Sequence, residues 1–135
     1  MFRIALVDND RNLLASLSVM FESEGFEVTI YSDGQLALSA FTSHMPDIAI
    51  LDVTLPGLNG LDLLQKIRNK SAIPVIFLTA KSDEIDEVLG LRMGADDYVK
   101  KPCSQRVLLE RVHNLLRRQT IKPTDPTIDL SLIHI

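Results

Sequence analysis

The chain lacks the residues on which several classes of protein depend. Its 135 residues include one cysteine, Cys103, and no tryptophan. A single cysteine excludes an intramolecular disulfide and provides no Cys/His cluster for structural zinc. No apolar run approaches the length of a membrane span, and the strand pattern begins without a preceding signal peptide. We therefore expect a soluble, cytoplasmic protein that makes no membrane contact.

The chain also has no excess of positive charge. Its formal net charge of −4 argues against nucleic-acid binding by bulk electrostatics. Any contact with DNA would have to come from another segment. Apolar residues make up 46% of the sequence, and a chain of this length and composition is expected to fold as one domain with a substantial core.

Strand-like and helix-like segments alternate along the chain. Asp10 or Asn12 is predicted to cap the first helix, and Gly25 to end it. The predicted strands cover residues 2–7, 26–31, 48–51, 75–78 and 97–100. The later helices are predicted at about 35–44, 60–69, from a Ser82-Asp83 cap to Met93-Gly94, and at 104–118. This alternation predicts a parallel, doubly wound α/β sheet with helices on both faces.

Polar residues follow three of the predicted strands where each strand ends. Asp8 follows the first strand, Asp52 the third and Thr79 the fourth. Because the carboxyl ends of parallel strands lie at one edge of a sheet, we expect these side chains to meet there. Lys101 follows the fifth strand and could bring an ammonium group to neutralise a transferring phosphoryl group. For Thr79, simple packing at the strand end is the alternative.

The acidic residues of this edge provide hard oxygen ligands, which suit Mg²⁺ better than zinc or copper. For Asp10 alone, capping of the first helix is the favoured interpretation. Asp8 is favoured as a ligand, because a carboxylate that faces another carboxylate needs a cation. Lys100 is expected to be solvated, Cys103 to be a small buried apolar residue, and Tyr98 has edge-strand packing as its alternative role.

Five motifs, in this order and at this spacing, resemble those of bacterial response-regulator receiver domains. They are Asp8-Asn9, Asp52-x-x-x-Pro56-x-x-x-Gly60, Leu78-Thr79-Ala80, Gly94-Ala95-Asp96-Asp97-Tyr98 and Lys101-Pro102. The resemblance covers about residues 3–118. The Gly94–Tyr98 segment and the ending Leu115–Arg118 are most similar to the OmpR-type subfamily, whose members carry a winged-helix DNA-binding domain. The whole run is similar to the ChvI-type regulators of α-proteobacteria.

The resemblance implies a flavodoxin-like (βα)5 fold, with strand order 2-1-3-4-5, and a role for each motif residue. Asp52 would be the phosphoacceptor, and a sensor histidine kinase would be the phosphoryl donor. The implied ligands of a Mg²⁺ cofactor are Asp8, Asn9, Asp52 and the backbone carbonyl of Thr54. The implied phosphate-binding and switch residues are Thr79, Tyr98 and Lys101, and Thr54 and Lys81 would set the phosphate lifetime.

The resemblance also implies what phosphorylation would cause. The fourth helix, fifth strand and fifth helix would become a homodimer face that includes Arg92, Asp97 and Arg111. DNA would be bound only by a C-terminal domain that is absent from this chain. The implied chemistry is limited to self-catalysed phosphoryl acceptance and slow autodephosphorylation, so the chain is not expected to be an enzyme otherwise.

Three positions depart from the family pattern. Asn9 stands where a second acidic metal ligand is usual, so weaker Mg²⁺ binding is expected; Asp10 could partly compensate. Cys103 stands in place of a phenylalanine. Val107 replaces a glutamate that pairs across the dimer, which removes one expected intersubunit salt bridge.

The sequence divides into three predicted regions. Residues 1–118 form the receiver domain, 119–129 form a linker toward the absent domain, and 130–135 form a non-native tail that matches nothing before it. The alternative for the tail is the first strand of a second domain. A free-standing receiver and a receiver that does not depend on phosphorylation remain alternatives for the whole chain.

Two rival families explain the sequence less well. A haloacid-dehalogenase-type phosphatase would use Asp8-Asn9-Asp10, but Asn12 occupies the position of its threonine and Asp52 stays unexplained. A flavodoxin-type flavin-binding module would need a Ser/Thr/Gly-rich phosphate loop after the first strand. Arg11-Asn12-Leu13 does not provide one.

Overall fold

The computed structural model describes residues 1–80 and 84–120. Within them, five strands alternate with five helices. The strands are β1 (Arg3–Val7), β2 (Glu27–Tyr31), β3 (Ile48–Leu51), β4 (Val75–Thr79) and β5 (Asp97–Lys100). The helices are α1 (Arg11–Ser23), α2 (Gly34–Ser43), α3 (Gly60–Arg68), α4 (Glu84–Arg92) and α5 (Gln105–Thr120).

The strands form one parallel sheet in the order β2-β1-β3-β4-β5. This order confirms the predicted flavodoxin-like, doubly wound fold. Alternate residues of each central strand point to opposite faces. Ile4 and Leu6 of β1 therefore join a core with α1 and α5, whereas Ala5 and Val7 join a second core with α2 and α3.

Burial along each strand reflects its place in the sheet. Every residue of β3 and of β4 is buried, as continuous apolar strands covered on both faces require. In contrast, β2 alternates polar and apolar residues and leaves Ile30 exposed, because it is an edge strand. The alternating sequence pattern of residues 26–31 predicts this difference.

Asp10, Asp33 and Asn59 cap the first three helices. Their side chains accept backbone hydrogen bonds from Leu13, Leu36 and Asp62 at 3.1, 2.8 and 2.9 Å. Each such cap stabilises its helix by about 1 kcal/mol. Asp10, not Asn12, caps α1.

The predicted boundaries differ from the structure by one or two residues at several ends. The helical spacing of α3 predicts that Leu61, Leu64 and Ile67 face inward. Leu64 and Ile67 are buried, and Leu61 is half-buried against the same core. Leu63, which the spacing does not predict, is buried as well. The predicted Ser82-Asp83 cap, Lys81 and the tail at 130–135 lie outside the described residues, as does the linker beyond Thr120. No helix in the described ranges has the length and apolar character needed to cross a membrane.

Candidate functional site

Two buried aspartates lie side by side at the carboxyl edge of the sheet. Val7 of β1 pairs with Leu51 of β3, so the residues that follow them, Asp8 and Asp52, become neighbours. Asp8 is 5% exposed and Asp52 is 6% exposed. Carboxylates this deeply buried require charged or hydrogen-bonding partners.

Lys101 supplies the charged partner for both aspartates. Its Nζ lies 2.8 Å from Oδ2 of Asp8 and 3.2 Å from Oδ2 of Asp52. The lysine reaches them from the end of β5, where its backbone N–H donates to the carbonyl of Thr79 at 2.8 Å. The Lys101-Pro102 peptide bond is cis. The predicted convergence of Asp8, Asp52 and Lys101 is therefore present.

Backbone amides hold the other oxygen of each carboxylate. The N–H of Asp10 donates to Oδ1 of Asp8 at 2.9 Å, and the N–H of Thr54 donates to Oδ1 of Asp52 at 3.1 Å. Each carboxylate thus has one oxygen directed at Lys101 and one held by the loop that follows its strand. This arrangement fixes the orientation of both groups before any ligand arrives.

Burial and the charges at this edge together shift the pKa values of Asp8 and Lys101. Burial raises the pKa of Asp8, and repulsion from Asp52 adds to that rise, although hydrogen bonds from Lys101 and Asp10 oppose it. For Lys101, burial lowers the pKa, but the hydrogen bond to Asp8 and the two carboxylate charges outweigh burial, and the pKa is raised overall. The lysine is therefore firmly cationic, whereas the pair of carboxylates carries more negative charge than one ammonium compensates.

The loop after β3 turns back tightly against Asp52. The N–H of Gly60 donates to the carbonyl of Val53 at 2.8 Å. A Cβ at position 60 would overlap the carbonyl oxygen of Asp52 and lie 2.9 Å from its carbonyl carbon. Only glycine permits this approach of backbone to backbone. The spacing from Asp52 to Gly60 in the sequence motif thus reflects the closure of this loop.

Two further predicted site residues, Thr79 and Tyr98, are buried on β4 and β5. Thr79 is only 1% exposed at the end of β4. Tyr98 is also buried, and its ring centroid lies 5.9 Å from that of Phe77. Lys100 is exposed, as predicted, and its Nζ lies 3.8 Å from Oε1 of Glu87. Cys103 is half-buried against the core, so its expected burial is only partial.

The structure gives Asp10, the neighbour of Asn9, a defined role as a helix cap. Both residues are exposed. The side chain of Asp10 accepts the hydrogen bond from Leu13 that caps α1, which confirms its capping interpretation. Asp10 therefore does not act as a second buried acid beside Asp8.

The donor atoms at the site fit Mg²⁺. Within residues 1–80 and 84–120, no three His, Cys, Asp or Glu side chains gather to hold a metal by themselves. The predicted set combines the carboxylates of Asp8 and Asp52 with the amide of Asn9 and the carbonyl of Thr54, all of which are hard oxygen donors. Mg²⁺ is typically bound through one or two carboxylates together with water and phosphate oxygens, so two carboxylates suffice.

The predicted dimer-face residues lie on the side of the sheet formed by α4, β5 and α5. Arg92 is exposed. Arg111 and Asp97 pair within the chain, with Nη1 of Arg111 at 2.6 Å from Oδ2 of Asp97. Val107 is also exposed, as are Val88, Leu89 and Leu91 of α4.

One polar centre is not predicted by the sequence pattern. The guanidinium of Arg68, at the end of α3, donates to the carbonyl of Gly94 at 2.7 and 3.0 Å and to Asp96 at 3.1 Å. The available signal is the placement of an arginine in the last turn of a helix, which is too common to predict a specific partner. Its role here is to tie α3 to the loop before β5.

The fold and this edge define the class of protein: a doubly wound domain whose sheet carries two carboxylates and an ammonium group where its strands end. The family model for the response regulator receiver domain matches residues 4–113. The chain belongs to this family, and it is the receiver domain of a two-component response regulator.

Relatives with known names support the same assignment. The DNA-binding response regulator MtrA of Mycolicibacterium smegmatis is 43% identical over 123 residues, which are 91% of this chain and 54% of MtrA. The sensory transduction protein RegX3 of Mycobacterium bovis is 43% identical over 118 residues, covering 87% of this chain and 52% of RegX3. The chain thus spans about half the length of these relatives.

Solved structures agree with the fold. The receiver domain of the Francisella response regulator 1452 is similar with a TM-score of 0.83 and 31% identity, covering 88% of this chain and 99% of that one. The BeF3-activated receiver domain of DrrB gives a TM-score of 0.79 and 33% identity, covering 87% of this chain and 98% of that one.

Proposed function

We propose that Asp52 accepts a phosphoryl group from a sensor histidine kinase and that this modification switches the protein between two states. The observation that carries the proposal is the shared hydrogen bonding of Lys101 with Asp8 and Asp52. Asp52 is the member of this group whose loop leads directly into α3, and both of its oxygens are oriented by donors. Such a carboxylate is positioned as a nucleophile.

In the proposed reaction, a carboxylate oxygen of Asp52 attacks the phosphorus of the phosphohistidine. The new P–O bond forms as the P–N bond breaks, and the electron pair of that bond stays on the imidazole. Lys101 neutralises charge on the transferring phosphoryl oxygens, as positioned cations do in phosphoryl transfer. When bound by Asp8, Asn9, Asp52 and the carbonyl of Thr54, Mg²⁺ would supply further neutralisation.

The switch follows from the added charge at this edge. In the proposal, Thr79 turns its hydroxyl toward the phosphoryl group and Tyr98 repacks with it, which biases the α4–β5–α5 face toward a homodimer. Thr54 and Lys81 influence how long the phosphate persists. DNA binding, assignment to the OmpR-type and ChvI-like groups, and a cytoplasmic location are further parts of the proposal. MtrA, a longer DNA-binding relative, supports the DNA-binding part.

Incubation with acetyl phosphate and Mg²⁺, followed by intact-mass measurement, tests the proposal. We expect one phosphoryl adduct on the wild type, none on Asp52→Asn, and a normal adduct on Asp62→Asn, which changes an exposed aspartate of α3. An adduct that persists on Asp52→Asn would mean that another residue accepts the phosphoryl group. A wild type without any adduct would favour the receiver that does not depend on phosphorylation.

Sedimentation with and without beryllofluoride tests the dimer separately. We expect a shift from monomer toward dimer at tens of micromolar protein, on the order of the weak-dimer regime. The missing glutamate at Val107 should weaken the dimer only slightly, because an exposed ion pair contributes about 0–1 kcal/mol. An unchanged monomer mass with beryllofluoride bound would contradict dimerisation.

A further inference from the structure

The loop that carries the predicted phosphoacceptor is held from outside as well as from within. Its inner contact is Gly60 against the backbone of Asp52. Its outer contact is Gly34, the first residue of α2. A Cβ built on Gly34 would overlap the carbonyl oxygen of Leu58 and would lie 3.0 Å from its carbonyl carbon and 3.2 Å from its Cβ. The backbone of α2 therefore lies directly against the loop between β3 and α3.

Rotation of a side chain could not relieve the overlap that a Cβ at Gly34 would create. The nearest atoms to a Cβ at Gly34 belong to the backbone of Leu58. The N-terminus of α2 is itself fixed, because Asp33 caps it by accepting from Leu36 at 2.8 Å. Since uncharged atoms pack at about 3.5 Å, a methyl group at position 34 would separate the helix from the loop by more than an ångström.

The loop transmits such a displacement to the site. Leu58 is six residues from Asp52, and the N–H of Thr54, within that span, donates to Oδ1 of Asp52 at 3.1 Å. The carbonyl of Thr54 is also a proposed Mg²⁺ ligand. Leu58 anchors the outer end of the loop, since its half-buried side chain packs against the core that α2 and α3 share.

We infer that Gly34 is a positioning residue for the phosphoacceptor site. Because it has no side chain, α2 can pack against the carbonyl of Leu58. This packing fixes the position of Thr54, whose N–H donates to Asp52 and whose carbonyl is a proposed metal ligand. This inference rests on the proposed function. Gly34 touches none of the reacting groups, so its effect acts through the loop alone. Its substitution should change the geometry of the site beyond what a general loss of stability would do.

The test compares Gly34→Ala with Gly25→Ala. Gly25 has a φ of +92°, and no atom lies within 4 Å of the position that a methyl group would take there, so alanine strains the backbone without touching the loop. Both variants are measured at a temperature where circular dichroism shows them fully folded. We expect Gly34→Ala to raise the half-saturating Mg²⁺ concentration about tenfold, in binding and in acetyl phosphate labelling, as losses around metal ligands do. Gly25→Ala should match the wild type.

Amide hydrogen exchange without Mg²⁺ adds a readout that does not depend on activity. The Thr54 amide should lose protection in Gly34→Ala and keep it in Gly25→Ala. A Gly34→Ala protein that is less stable but keeps wild-type Mg²⁺ binding and Thr54 protection would overturn the inference. A wild type that takes no phosphoryl group would instead overturn the proposed function, so the two failures are distinguishable.

A second pair of variants covers the case in which Gly34→Ala does not fold. Leu58→Ala and Leu38→Ala shorten two half-buried leucines that pack against the same core. Leu58→Ala loosens the loop at the point that Gly34 contacts, and we expect it to weaken Mg²⁺ binding and expose the Thr54 amide. Leu38→Ala should do neither. Equal effects from the two leucines would contradict the inference.

Discussion

The two ends of the sheet hold similar sets of polar groups with different charge balance. At the amino ends of the strands, Arg68 faces one carboxylate, Asp96. At the carboxyl ends, Lys101 is shared by two carboxylates, Asp8 and Asp52. The first set has equal charges, whereas the second has an excess of negative charge in a more buried place.

The difference extends to the backbone around each set. Arg68 also donates to the carbonyls of Gly94 and Ser71, and Asp96 accepts from the N–H of Val75 at 2.8 Å. The bonds to Gly94, Asp96 and Val75 join elements that are distant in the sequence, so the set stabilises the structure. The other set places two carboxylates on one ammonium, and the remaining negative charge favours binding of a cation. We therefore assign stability to the amino-end set and the proposed phosphoryl chemistry to the carboxyl-end set.

The largest effect is expected from Lys101→Ala. This change removes the ammonium that the structure places between Asp8 and Asp52, and the loss of one positioned charge slows a reaction by about a hundredfold or more. The rate of phosphoryl uptake from acetyl phosphate measures it. Lys100→Ala is the matched control, because Lys100 is exposed and should leave the rate unchanged. Equal rates in the two variants would remove Lys101 from the site.

Arg68→Ala should lower the stability of the fold and leave phosphoryl uptake intact. It removes charge-assisted hydrogen bonds to Asp96 and to two carbonyls, which should lower the free energy of unfolding by about 2 kcal/mol. Chemical unfolding measures this loss, with the exposed Arg106→Ala as control. Phosphoryl uptake by the folded variant should stay close to that of the wild type. A large loss of uptake without a loss of stability would break the distinction between the two ends.

The sequence predicted the carboxyl-end set well for a physical reason. Apolar runs that end in Asp8, Asp52 and Thr79 place those residues at one edge once the sheet is parallel, and the motif spacing indicates the residues that matter. The convergence of Asp8 and Asp52 was predicted on this basis, whereas the strand order came from the resemblance to receiver domains. Local pattern alone was enough, because each residue sits at the end of its own strand.

Contacts between distant segments could not be predicted in the same way. The guanidinium of Arg68 donates to both Gly94 and Asp96, and no repeating pattern in the sequence predicts that these residues meet. The approach of Gly34 to Leu58 depends on how α2 packs beside the loop, and a glycine at a helix start gives no hint of it. On α3, Leu61 packs against the core as predicted but stays half-buried, whereas the helical spacing did not predict the full burial of Leu63.

The smallest effect is expected from Asn9→Asp. A charged oxygen should replace a neutral one next to Asp8, so Mg²⁺ should bind more tightly, and the metal-free protein should be slightly less stable because repulsion increases. One Mg²⁺ titration of thermal unfolding follows both changes, and Asn12→Asp, at an exposed position of α1, is the control. An unchanged Mg²⁺ dependence would mean that position 9 does not face the metal.

The most direct test of the contrast between the two ends is the unfolding of Asp8→Asn without Mg²⁺, measured as a function of pH. Burial raises the pKa of Asp8 in the folded protein above its ordinary value of 3.8. The ionised carboxylate therefore destabilises the fold. This loss of stability begins as the pH rises through 3.8 and is complete above the raised pKa of the folded protein. We predict equal stability of variant and wild type in acid, a higher midpoint temperature for the variant at neutral pH, and weaker Mg²⁺ binding. A variant that is less stable than the wild type at neutral pH would contradict this contrast.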